Sequence, residues 1–132
     1  MITLAGLPNL NAAITGQWDF NSGNLSATTG AALEYFDGLG GATSQQTVFG
    51  TTSTLGVPDI GGQPAHVMSF PAATNNTMGY VVRPGMAANG GGSFVNQYTL
   101  IFDVLYPPAS SASFRALIQI NDPVGNANDA EL

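Results

Sequence analysis

Tyr98-Thr99-Leu100-Ile101-Phe102-Asp103-Val104-Leu105-Tyr106 is the stretch on which the fold turns. Side chains alternate along a strand, so Tyr98, Leu100, Phe102, Val104 and Tyr106 fall on one side and Thr99, Ile101, Asp103 and Leu105 on the other. Apolar residues on both sides predict a strand central in its sheet. Pro107-Pro108 stops it, because proline has no N–H to donate to a ladder. After a short Ala/Ser turn, Phe114-Arg115-Ala116-Leu117-Ile118-Gln119-Ile120 reads as a hairpin partner or as a crossing between two sheets.

Working back toward the N-terminus, strand signals recur at the spacing of sandwiches and barrels. In Ile14–Phe20 the residues Ile14, Trp18 and Phe20 share a face expected to be buried, opposite Thr15, Gln17 and Asp19; Asn21-Ser22-Gly23-Asn24 closes it as a turn. Ala32–Phe36, ended by Asp37-Gly38, is a second strand. Thr47–Thr51, Ala65–Phe70 and Gly79–Arg83 follow, with Pro58, Pro64, Pro71 and Pro84 as boundaries. Helical signals are almost absent. The best of them, Ala31–Phe36, is short and lies between Gly30 and Gly38. Gly, Thr, Ser, Asn and Pro break anything longer. Ala87-Ala88-Asn89-Gly90-Gly91-Gly92-Ser93 reads as a loop within the domain. The expectation is one all-β domain, residues 1–132, built as an antiparallel β-sandwich.

Composition narrows the partners. Charged residues make up only 8% of the chain, against about a quarter in an average globular protein. Arg83 and Arg115 are the only fixed positive charges, and the formal net charge is −6. Nucleic acid is excluded as a partner, because binding phosphates takes clustered Lys and Arg. Docking on an anionic membrane is disfavoured for the same reason. No segment has the run of apolar residues needed to span a membrane. The absence of cysteine removes disulfides, thiolate catalysis and zinc–thiolate sites together. A surface made soluble by Gly, Ser, Thr, Asn and Gln is that of an exported β-rich module. Met1–Leu7 is too short and uncharged for an export signal, so any such signal is expected upstream in the natural gene.

Several of these segments together resemble a family. Gln17-Trp18-Asp19-Phe20-Asn21-Ser22-Gly23-Asn24-Leu25, followed by Thr29–Gly38, is similar to the opening of a bacterial laminin-G-like domain. Tyr98–Val104 resembles that family's next recurring strand. Phe114–Gln119 with the acidic stretch after it resembles the element that follows. The resemblance implies the concanavalin-A-like jelly roll, an extracellular location and a recognition role. It also implies a domain of about 150–220 residues, of which this chain would be the N-terminal portion. Open sheet edges would then be covered by a second copy or by another chain.

Candidate sites follow from residue chemistry and from this resemblance. Asp122, Asn126, Asn128, Asp129 and Glu131 form the densest group of oxygen ligands, the composition that suits Ca²⁺, although polar turns share it. Asp19 and Asn21 are a second candidate, because in similar jelly rolls calcium ties the first strand to the last; an outward, solvated Asp19 is the alternative. Tyr35, Tyr80 and Tyr98, with Phe94, could stack on sugar, although aromatic strand residues usually pack in a core. His66 is the only histidine, too few for a zinc site and without the serine elbow of a hydrolase. Glu34 and Asp37 are spaced wrongly to share a strand face, and Asp103 stands alone, which leaves a carbohydrate-active enzyme as the weakest reading. Asn24-Leu25-Ser26 and Asn75-Asn76-Thr77 match the N-glycosylation pattern. The expected function is a non-catalytic extracellular module binding glycan or another surface polymer. The alternative is an assembly module whose open edges pair with itself or a partner.

Overall fold

In a computed structural model of the chain, the described residues are 13–38, 40–72, 78–93, 95, 97–108 and 117–118. Their regular structure is mostly β, in short antiparallel strands. The elements are β1 (Glu34–Phe36), α1 (Ala42–Gln46), β2 (Val48–Thr51), β3 (His66–Ser69) and β4 (Gly79–Val81). β1 pairs antiparallel with β4 and β2 with β3, each pair a two-stranded sheet. Each strand falls inside a segment whose alternation predicts one. The sheets are smaller than those segments: β1 begins only at Glu34 within Ala32–Phe36, and β4 ends at Val81 within Gly79–Arg83.

The β2–β3 hairpin is set by its long connection. Its register runs from Val48↔Ser69 to Thr51↔His66. The Thr52 N–H then donates to the Ala65 carbonyl at 2.9 Å, carrying the ladder one step further. Thr52 is wholly buried and its hydroxyl donates to the Asp59 carboxylate. At the far end Ile60 and Gln63 exchange N–H···O bonds of 3.1 and 3.0 Å around Gly61-Gly62. Both glycines have positive φ, +58° and +76°, the conformation that a two-residue hairpin turn demands at its centre.

The helix α1 has no counterpart among the sequence expectations. It replaces an N-cap side chain, absent at Gly41, with a carboxylate reaching in from the end of β1. The Thr43 and Ser44 N–H groups both donate to Asp37. Ala31–Phe36, the stretch with the best helix propensity, instead supplies β1, since cross-strand pairing with β4 outweighs a weak local preference.

The segment Ile14–Phe20 departs from its expected form. It contributes a single antiparallel bridge, Gln17↔Thr29, and Ile14 is 67% exposed. Trp18 is half-buried over Gly16, where a Cβ would stand 2.5 Å from the indole ring, and its Nε1–H donates to the Ala31 carbonyl at 3.0 Å. Phe20 meets Phe49 of β2 with ring centroids 6.0 Å apart. The expected turn follows, closed by a Gly23 N–H to Phe20 carbonyl bond of 2.9 Å.

Tyr98–Tyr106 departs further. It belongs to none of the strands, each of its residues is exposed, and none of the backbone hydrogen bonds among the described residues involves it. Alternation specifies which side chains want burial but supplies no partner backbone, and a strand needs one. Of the expected hairpin partner Phe114–Ile120, only Leu117 and Ile118 are among the described residues, and neither is in a strand.

Candidate functional site

The register of β1 against β4 places Tyr35 directly opposite Tyr80. Their rings meet at 5.8 Å between centroids, tilted by 44°, a geometry within the preferred range for aromatic pairs. Two of the three tyrosines singled out from the sequence are thus brought together. Tyr98 lies in the exposed segment and makes no ring contact with either among the described residues.

The two phenols differ in freedom. Thr47, at the C-terminal end of α1, donates its hydroxyl to the Thr43 carbonyl at 2.6 Å. Its oxygen therefore accepts from the Tyr80 phenol, also at 2.6 Å. Burial pushes the Tyr80 phenol above its ordinary value, so it remains a neutral donor at physiological pH. Tyr35 is exposed, 39% of its surface reaching solvent. One ring is held and the other is presented.

A threonine hydroxyl holds this corner of the molecule together. Thr43 is buried to 1% exposure. Its hydroxyl donates to the Phe36 carbonyl at the end of β1 and accepts from the Gly79 N–H at the start of β4, at 3.3 and 3.2 Å. Buried polar groups must be satisfied, and here that requirement ties α1, β1 and β4 at one point. Sequence reading passed over Thr43 and Thr47 because threonine is common in this chain. No local pattern marks them, since Asp37 stands four residues before the N-cap Gly41 and reaches the helix only through the fold.

The carboxylates near this corner are already engaged. On the other side of β1 from Tyr35, Glu34 receives Arg83 Nε at 2.9 Å and a second guanidinium nitrogen at 3.3 Å, a two-point ion pair. The Arg83 hydrogen bond and charge hold the Glu34 carboxyl below its usual range, and Glu34 raises Arg83 in return. At Asp37, partial desolvation works to raise the carboxyl and is outweighed by hydrogen bonds from Ser44 and Thr43, leaving it lowered. Glu34 and Asp37 are thus held ionised, the wrong state for a general acid. His66 sits on β3 opposite Thr51.

At the calcium candidates, the Asn21 N–H donates to Asp19 Oδ1 at 3.3 Å, a local turn. The Asp19 carboxyl is lowered by the Thr28 hydroxyl, then by that N–H, with a smaller contribution from His66. No three of His, Asp and Glu converge as a metal-holding group among the described residues. Asp122, Asn126, Asn128, Asp129 and Glu131 lie outside the described residues, as do Phe94 and Asn75. Asn24 Oδ1 accepts from the Ser26 N–H at 2.8 Å, and the Asn24 side of that turn is exposed. No helix among the described residues is long and apolar enough to cross a membrane.

Comparison with protein-family models, with curated proteins and with solved structures finds no match for this chain.

Proposed function

We propose that the chain is a non-catalytic, extracellular recognition module of the laminin-G-like, concanavalin-A-like β-sandwich type. It binds glycan or another surface polymer through Tyr35 and Tyr80. The observation that carries this reading is the cross-strand tyrosine pair with a fixed, hydrogen-bonded Tyr80 and an exposed Tyr35 beside it. A phenol ring offers an apolar face to the C–H side of a sugar and a polar edge to its hydroxyls. The order already present in Tyr80 lowers the entropic cost of binding. The scarcity of positive charge favours a neutral ligand over a polyanion. Calcium, held by Asp19 and Asn21 or by the Asp122–Glu131 group, is the proposed cofactor.

Glycan-array binding by the whole chain, with and without a chelator, tests both parts. Tyr35→Ala is expected to weaken binding by about tenfold or more, as central aromatic contacts do, with the fluorescence of Trp18 unchanged. Loss of binding on chelation supports the calcium part. An array on which nothing binds, or a Tyr35→Ala variant that binds as the parent does, removes this reading.

A further inference from the structure

Tyr98–Tyr106 is exposed along its whole length, with Ile101 at 89% and Leu105 at 56%. It contains no glycine, proline or lysine, and its one charge is Asp103. Its backbone enters none of the ladders among the described residues. An unpaired apolar stretch that alternates as a strand does is a template for pairing with another strand. Natural edges are protected by Lys, Pro or a bulge, and the first two are absent here.

The order of residues identifies the occupant. On the face that carries Phe102, the segment is a palindrome in residue type: Tyr98, Leu100, Phe102, Val104, Tyr106. Antiparallel pairing of two copies on that centre sets Phe102 opposite Phe102, Leu100 opposite Val104 and Tyr98 opposite Tyr106. On the other side Ile101 faces Asp103 and Thr99 faces Leu105. On the Phe102 side aromatic thus meets aromatic and aliphatic meets aliphatic, the pairs that stabilise neighbouring strands. Each Asp103 faces an isoleucine. Parallel, in-register pairing would instead set Asp103 against Asp103, and like charges directly opposite are destabilising. Charge therefore selects the antiparallel arrangement, which is also the two-fold arrangement most homodimers use. We propose that two copies of the chain pair through Tyr98–Tyr106 as antiparallel strands, with the two-fold axis at Phe102. This inference does not depend on the glycan reading.

The chain has no cysteine, so single cysteines report the register directly. In whole-chain variants under mild oxidation, Phe102→Cys is expected to form a disulfide-linked dimer. Tyr98→Cys and Tyr106→Cys are each expected to stay monomeric on a non-reducing gel, yet to cross-link when mixed, because opposed strand residues come within disulfide reach. The parent chain is expected to double its mass with rising concentration in sedimentation equilibrium. Ile101→Asp, which faces Asp103 twice per dimer, is expected to weaken association by about tenfold, whereas Ile101→Lys preserves it. Equal cross-linking at all three positions would indicate parallel or random contact and overturn the proposal. A parent chain that stays monomeric at every concentration would overturn it too, and would indicate that the segment is covered within its own chain or by a different partner.

Discussion

Thr43 shows how much one hydroxyl can decide. Because it serves Phe36 and Gly79 at once, removing it leaves a backbone N–H without its acceptor in a buried place, which costs about 1–3 kcal/mol. Thr43→Val, nearly the same shape, is therefore expected to lower stability by that amount in urea denaturation, and Thr43→Ser to recover most of it. Asp37 acts on the same corner through its charge. Its carboxyl is lowered in the folded chain, so folding favours the ionised form. That contribution is complete above the ordinary carboxylate pKa of about 4 and disappears as pH falls through the lower folded value. Melting curves from pH 7 down to pH 2 should show the parent losing stability over that acid range. Asp37→Asn should lose less there and start from a lower melting point at pH 7. Neither role is visible in residue type alone. Aspartate before glycine reads first as a strand-ending turn, and only the path of the chain brings it to the helix.

At the scale of elements, every observed strand falls in a segment that local signals marked, while Ile14–Phe20 and Tyr98–Tyr106, marked in the same way, hold none. Ala32–Phe36, Thr47–Thr51, Ala65–Phe70 and Gly79–Arg83 each contain an observed strand, because alternation and proline boundaries are properties of the segment itself. The pairing of β1 with β4 across the intervening hairpin is long-range, and no local pattern encodes it. The β2–β3 connection depends on a different kind of local rule. Gly61 and Gly62 have no heavy atom within 4 Å of where a Cβ would stand, so a substitution there is opposed by backbone conformation alone. Gly62→Ala is expected to cost about 1–2 kcal/mol in chemical denaturation. Gly61→Asn is expected to cost much less, since asparagine tolerates positive φ.

At the scale of the whole molecule, a low charge content and exposed apolar side chains act together. The net charge of −6 opposes association beyond a specific pair, and it vanishes near the isoelectric point of about 4.1. Light scattering against pH is expected to rise steeply around that value, and added salt at pH 7 to raise it further by screening the same repulsion. A chain whose scattering stays flat across this range would show that its exposed apolar residues are covered. Ile14, Ile101 and Leu105, each more than half exposed, are the side chains through which association would occur.

By itself the sequence determined the β class, the positions of the short strands, the closing turn after Phe20 and the surface poor in charge. These follow from side-chain alternation, turn chemistry and composition, all of which act within a few residues or over the chain as a sum. Tertiary structure alone decided that Tyr35 stands against Tyr80, that Asp37 caps α1, and that Thr43 ties two strands to a helix. Each joins residues distant in sequence, where the gain comes from satisfying a buried polar group or packing two rings. Tyr98–Tyr106 marks the boundary between the two. Its alternation states that it would pair, and the choice of partner belongs to whichever backbone can meet its open N–H and carbonyl groups.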